Sequence, residues 1–222
     1  MTHETREFWN EMWTEHDDST PDPDDLLVTE VAGLSSGRAL DIGCGAGSNA
    51  VWLAAHGWQV TATDLADAGI EKGKRLATKR GVQVEFIVAE ATAFRPDGRY
   101  DLITSFYIQL RPDQRAKMLA MAAGALAPGG TLLFVSHDKS SPPSGWTDED
   151  LSSLTTPDEV ASELPGLKIE QASVMEHEGG EHATHAHDSE DDLDTYELST
   201  DEAHNSHGSR STVVRAIRLA PG

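Results

Sequence analysis

Short apolar runs and longer stretches of helical period alternate along this chain. Runs of five or six apolar residues bounded by glycine or proline read as buried strands. Apolar residues recurring every three to four positions read as helix faces. A polar leader, Met1 to about Pro21, comes first and carries three aromatics, Phe8, Trp9 and Trp13, spaced to share one helical face. Such a face packs on the body of a domain or covers a ligand. Asp22-Pro23-Asp24-Asp25 then predicts a helix start, with Asp22 as the cap, Pro23 in the first helical position and acids in the first turn. Leu26, Leu27, Val31 and Leu34 continue as an apolar stripe up to Gly37.

From residue 38 the rhythm becomes regular. Strands are predicted over 38–42, 59–63, 83–88, 101–105 and 131–136, and helices over about 48–56, 67–81 and 113–126. The strand at 101–105 is nearly all apolar, as expected of a parallel strand covered on both faces. Pro128-Gly129-Gly130 turns the chain into the strand at 131–136. Read as five repeats of strand then helix, this implies a parallel doubly wound sheet of the α/β class. The tail changes character. Thr156-Pro157-Asp158-Glu159 caps a short helix ending near Leu164, and 167–175 and 211–219 read as two strands expected to pair antiparallel at one edge of the sheet.

The candidate chemistry lies at the first strand. Ala39 to Asp64 runs strand, glycine-rich turn, helix, second strand and an acidic residue at its tip. This is a half-site for an adenosine-bearing cofactor: glycines admit the ligand close to the backbone, and a terminal carboxylate accepts ribose hydroxyls. The dinucleotide fingerprint is Gly-x-Gly-x-x-Gly. Here Gly43, Gly45 and Gly47 are spaced Gly-x-Gly-x-Gly, and Ser48 stands in the fingerprint's third slot. Asp41, two positions before the first glycine, would repel a pyrophosphate and welcome an ammonium or sulfonium. The pattern favours S-adenosylmethionine (SAM) over a nicotinamide dinucleotide.

Charge and composition narrow the partners. The chain has 222 residues and a net charge of −21. Such a surface repels phosphate backbones, so a nucleic-acid substrate is not expected. The acidity reads as solubility, with life in high salt as the other explanation. No run approaches the ~20 apolar residues that span a membrane, and the N-terminus lacks an export pattern, so a cytoplasmic protein is expected. The single cysteine, Cys44, excludes an internal disulfide and reads as a small packed thiol in the glycine turn. The segment from about His177 to Ser209 has no Lys or Arg, many acids and six histidines. It reads as a solvated mobile insertion. Metal capture by His182, His185 and His187 is the competing idea.

Leu40-Asp41-Ile42-Gly43-Cys44-Gly45-Ala46-Gly47 resembles motif I of the class I SAM-dependent methyltransferases, and Ala127-Pro128-Gly129-Gly130-Thr131-Leu132 resembles the turn before the fifth strand of the same family. The continuation from Ser48 to Asp64 is similar to the tellurite-resistance (TehB-type) and related small-molecule branch. The resemblance implies a Rossmann-like, mostly parallel seven-stranded sheet with an antiparallel C-terminal edge hairpin. It implies a single methyltransferase domain over 1–222: leader and cap helix at 1–37, SAM-binding core at 38–138, and a C-terminal edge at 139–222 that carries the insertion. It also implies residue roles. Gly43, Gly45 and Gly47 pass under the methionine of SAM, Asp41 holds its amino group, Asp64 binds the ribose, and Leu65 lies beside the adenine. Glu90 stands where the family often has Asp near the adenine amino group, a longer acceptor. Ser105 and Phe106 border the transferred methyl, and Tyr107 and Gln109 face substrate.

Methyl transfer is an in-line displacement for which the protein mainly aligns the reactants and excludes water, and no metal is required. A general base is needed only for an acceptor protonated at neutral pH. His137, Asp138 and Tyr107 are the candidates near the strand tips, with His137 and Tyr107 put forward as catalytic. Adenine-directed DNA enzymes of the family often place Asn/Asp-Pro-Pro-aromatic after the fourth strand; this chain has Ser105-Phe106-Tyr107-Ile108. The expected acceptor is therefore a small molecule. The alternative is a non-catalytic SAM-binding sensor or scaffold. Oligomeric state is silent in the sequence.

Overall fold

The computed structural model describes residues 3–15, 22–143, 146, 148–176 and 210–220. The insertion, with His182, His185 and His187, lies outside the described residues. Helices α1 (His3–Glu15) and α2 (Asp25–Val31) precede strand β1 (Arg38–Ile42). Then come α3 (Ser48–Ala55), β2 (Gln59–Asp64), α4 (Asp67–Arg80), β3 (Val84–Val88), β4 (Tyr100–Phe106), α5 (Pro112–Ala125) and β5 (Leu126–His137). Two short helices, α6 (Asp148–Leu151) and α7 (Pro157–Ser162), lead to β6 (Lys168–Glu176) and β7 (Arg210–Ile217).

The seven strands form one sheet in the order β3-β2-β1-β4-β5-β7-β6. The first five are mutually parallel, and β7 pairs antiparallel with both β5 and β6. Strand order reverses between β1 and β4, which opens a crevice at their carboxyl ends. Leu26, Leu27 and Val31 of α2 and Ala50 and Leu53 of α3 pack on one face with Leu102, Leu133 and Val213. Met118, Leu119 and Ala122 of α5 and Val160 of α7 pack on the other with Leu40, Ile103 and Phe134. Leu27, Leu53 and Leu133 are fully buried, each contributing on the order of 2 kcal/mol of apolar transfer.

Three expectations are corrected. The second helix starts at Asp25, not Pro23, because Asp24 is the cap: it is extended, and its carboxylate accepts from Leu26 N. Asn49 Oδ1 holds Asp24 from α3 by accepting its N–H at 2.9 Å. The five strand–helix repeats are broken between β3 and β4. Residues 89–99 form only a turn, in which Ala93 and Phe94 N–H groups donate to Glu90 O; Pro96 and Gly98 leave no room for a helix before β4. Finally, β5 begins at Leu126, which pairs with Tyr100, and the register then jumps to Leu102↔Thr131. The Pro128-Gly129-Gly130 turn is thus an irregularity within the strand. Gly129 has φ +81°, and a Cβ on Gly130 would lie 2.8 Å from Tyr100 O. Gly81 ends α4 with φ 69°, and Thr156 and Glu159 close a reciprocal capping box on α7, both as expected.

Candidate active site

The crevice is built from the ends of β1, β2, β4 and β5. After β1 the backbone passes through positive φ three times in five residues: +73° at Gly43, +52° at Gly45 and +78° at Gly47. Only glycine takes this path without strain. The Gly43 and Cys44 N–H groups donate to Thr63 O at 2.8 and 3.0 Å. The Asp64 carboxylate closes the turn, accepting from Gly45 N and Ala66 N at 2.8 Å each. Burial raises the Asp64 carboxyl, and the N–H groups of Ala66, Gly45 and Leu65 oppose the rise. Asp64 therefore already holds the loop in shape while its carboxylate retains acceptor capacity for a hydroxyl.

The three glycines differ in what their missing side chains admit. A Cβ on Gly43 would meet Ile108 at 2.9 Å, one on Gly45 would meet Trp13 Cζ2 at 2.4 Å, and one on Gly47 would meet Phe86 at 2.9 Å. Gly47 thus serves the packing of α3 and α4 on β3, while Gly45 lies under the leader helix. Helix α1 reaches it by docking on the start of α4. Arg6 pairs with Asp67 at 2.5 Å, and Asn10 Oδ1 accepts from Ala68 N at 2.9 Å. The aromatic spacing of the leader showed a helical face; that this face meets the glycine loop was not legible in it.

Asp41 is 2% exposed. Its Oδ1 accepts from Thr104 Oγ1 at 2.8 Å, and its Oδ2 has no hydrogen-bond partner. Burial raises the carboxyl to about 7; the Thr104 bond opposes this and the Asp64 charge adds to it. A buried carboxylate oxygen without a donor is costly, and a cationic ligand in the crevice would complete it. Thr63 Oγ1 and Ser105 Oγ, near the ends of the two strands that flank β1, are likewise buried and unsatisfied. The Cys44 thiol is pushed up by burial and by the Asp64 and Asp41 charges, so it stays neutral. Leu65 and Glu90 are half-buried beyond β2 and β3, and Ala89 N donates to Asp64 O, which brings the Glu90 segment beside the Asp64 tip.

On the other side of the crevice, Phe106 is 9% exposed and Tyr107 is the one non-glycine residue among those described with positive φ, at 53°. Its hydroxyl lies 3.0 Å from Ser211 Oγ, and its ring centroid is 4.9 Å from that of His137. Burial pushes the Tyr107 hydroxyl well above its ordinary range, so it is a neutral hydrogen-bonding group and not a phenolate. Asp138, a candidate base, is occupied: it accepts from Ser140 N at 2.9 Å, from the Ser140 hydroxyl at 2.5 Å and from Thr212 Oγ1 at 2.7 Å. Burial would raise its carboxyl, but these bonds outweigh burial and hold it below the ordinary value. It ties β5 to β7 and is removed from the list of bases. The sequence reading missed Thr104 and Ser211; no local signal marks them, because each acts across elements.

Among the described residues no group of three or more metal-ligating side chains gathers, and no helix is long and apolar enough to cross a membrane. Cavities of about 410 and 400 Å³ lie at the opposite end of the sheet, one lined by Pro96, Arg99 and Met121, the other by Glu163, Leu167 and Arg218.

Residues 39–130 match the family described as “Methyltransferase domain”. A ribosomal RNA small subunit methyltransferase C from Alcanivorax borkumensis is 31% identical over 142 residues, covering 61% of this chain and 42% of the relative. A ubiquinone biosynthesis O-methyltransferase from Bordetella bronchiseptica is 32% identical over 110 residues, covering 48% of this chain and 46% of the relative. The chain thus spans less than half the length of these two relatives. The N-methyltransferase NodS from Bradyrhizobium japonicum, solved with S-adenosylhomocysteine, superposes with a TM-score of 0.69 at 18% identity over 96% of this chain and 98% of that one. TehB from Haemophilus influenzae superposes at 0.65 with 14% identity, over 96% and 67% of the two chains. At such identities these two structures speak to the fold alone.

Proposed function

We propose that this chain, whose residues 39–130 match the methyltransferase domain family, is a class I SAM-dependent methyltransferase that transfers a methyl group from SAM to a small-molecule acceptor. The observation that carries this reading is Asp41: a buried carboxylate with one oxygen clamped by Thr104 and the other lacking a donor. That oxygen fits the amino group of SAM and conflicts with a diphosphate. Gly43, Gly45 and Gly47 keep the loop bare, Asp64 offers its remaining lone pairs to the ribose, Leu65 flanks the adenine, and Glu90 accepts from the adenine amino group. When bound, SAM supplies a methyl already activated by its sulfonium. Ser105 and Phe106 border the methyl and exclude water from it. Tyr107 faces the acceptor, and His137, 6% exposed against the Tyr107 ring, is the group that takes the acceptor's proton where one must leave. No metal is required for this chemistry.

The net charge of −21 supports a small acceptor over a nucleic acid, although one relative is named for ribosomal RNA. Calorimetry with S-adenosylhomocysteine and with NAD tests the cofactor: binding of the first and not the second is expected, and the reverse would overturn the reading. Turnover of labelled SAM against thiols, selenite, amines, phenols and ribosomal RNA tests the acceptor. Turnover on a small molecule separates an enzyme from a sensor that only binds.

A further inference from the structure

Three aromatic side chains meet at the mouth of β4 and β5. Tyr107 leaves β4 with a left-handed backbone, a conformation a bulky residue holds only where its surroundings force it. Two contacts do so here: Tyr107 N donates to Val135 O at 2.8 Å, and the hydroxyl reaches Ser211 Oγ on β7. The phenol ring therefore lies across the tip of β5. His137 sits against it, and Trp146 packs on the imidazole in turn, edge-on at 85° with centroids 4.9 Å apart. His137 is only 6% exposed, whereas Tyr107 and Trp146 are half-buried and present the accessible surface.

Among the described residues, three cations that follow β4 and β5 or open β7 each have a carboxylate beside them. Arg111, after β4, pairs with Asp113 at 3.9 Å; Lys139, after β5, pairs with Glu159; Arg210, at the start of β7, pairs with Glu176 at 2.6 Å. A carboxylate, phosphate or selenite-type oxyanion would compete with a carboxylate already beside each of these cations, and the Asp24 charge also reaches Tyr107. What the mouth offers is ring surface, which favours flat, uncharged π-systems by stacking.

We propose that Tyr107 and Trp146, braced by His137 and Ser211, form the wall that selects a flat, uncharged aromatic acceptor. This rests on the methyltransferase reading above and names its substrate class. Trp146 is a specificity residue that touches the acceptor, and Ser211 is a positioning residue acting through Tyr107. The test uses the full chain loaded with S-adenosylhomocysteine, with catechol and 2-naphthol as probes against butylamine, 2-mercaptoethanol and selenite. Saturation-transfer NMR is expected to show the two aromatic probes bound and the other three not. Trp146→Ala is expected to weaken catechol and naphthol binding tenfold or more, with S-adenosylhomocysteine affinity within twofold of the parent; Trp146→Phe restores most of the loss. With any aromatic probe that turns over, Trp146→Ala raises KM and leaves kcat within about threefold. Ser211→Ala should loosen the aromatic probes alone. Failure of S-adenosylhomocysteine to bind would overturn the methyltransferase reading and this inference with it. Binding of S-adenosylhomocysteine with no aromatic preference overturns the inference alone, as does a Trp146→Ala loss shared by the cofactor product.

Discussion

At the scale of single residues, Asp41 has a protonation state that the fold controls. Its carboxyl rises to about 7 in the folded protein, against about 3.9 in an unfolded chain. Between these values the native state holds a proton that the unfolded state has released. Stability from this group therefore falls as pH climbs from about 4 to about 7, and the full penalty is present above that range. Thermal melts of ligand-free protein should show Asp41→Asn gaining on the parent from about pH 5.5 to about pH 8; a gap that stays constant contradicts the assignment. An ammonium-bearing ligand needs the carboxylate, so affinity for S-adenosylhomocysteine should rise over the same interval, with up to one proton released. Calorimetry in buffers of different ionisation enthalpy reads that proton directly, and Asp41→Asn should abolish both effects.

Gly45 supplies a second test at this scale. A left-handed alanine costs about 1–2 kcal/mol, and its Cβ would lie 2.4 Å from Trp13 Cζ2. Gly45→Ala should displace Trp13, shift tryptophan emission to the red and weaken S-adenosylhomocysteine at least tenfold. Unchanged emission with unchanged affinity would mean that Trp13 does not seat on the loop.

At the scale of elements, two of the polar contacts that hold the leader helix are of unequal worth. Asn10 caps α4 from another helix, where the α4 N-cap residue, Ala66, has no side-chain bond to give. Losing a cap of this kind costs about 1 kcal/mol. The Arg6–Asp67 pair is roughly half exposed on both sides, so it contributes about 0.5 kcal/mol or less. Asn10→Ala should therefore lower the melting temperature more than Arg6→Ala. The opposite order would assign the docking to charge.

The α5–α7 contact depends on a buried pair. Arg115 donates Nε to Glu163 Oε2 at 2.9 Å and Nη2 to Oε1 at 2.8 Å. Removing one partner of such a pair strands a charge in the core and costs about 3–5 kcal/mol. Glu163→Ala should destabilise by that order in urea titrations, far from the crevice and with cofactor affinity unchanged. A loss under about 1 kcal/mol would mean that water reaches Arg115.

At the scale of the whole molecule, 38 acids against 17 bases give the chain a self-repelling surface. Screening should relieve it: raising salt from about 0.05 to about 0.5 M is expected to lift the melting temperature by a few degrees. A fall would place the stability in attractive surface pairs instead.

What this sequence determined by itself is local and periodic. Alternation and helical period placed most strands and helices to within a few residues, the start of β5 and the missing helix before β4 excepted, because burial on one or two faces dictates which positions are apolar. The triple-glycine turn with Asp41 and Asp64 was equally legible, since a backbone at positive φ admits little but glycine. The tertiary structure decided what depends on groups far apart in the chain. It moved the α2 cap from Asp22 to Asp24, because Asn49 on α3 grips that residue's N–H. It withdrew Asp138 from catalysis, because Thr212, 74 residues away, claims the carboxylate. It seated Trp13 on Gly45 and braced Tyr107 with Ser211. Periodicity reports which face of an element is buried; only the folded chain says which distant atom lies against that face, and the chemistry of the crevice depends on such atoms.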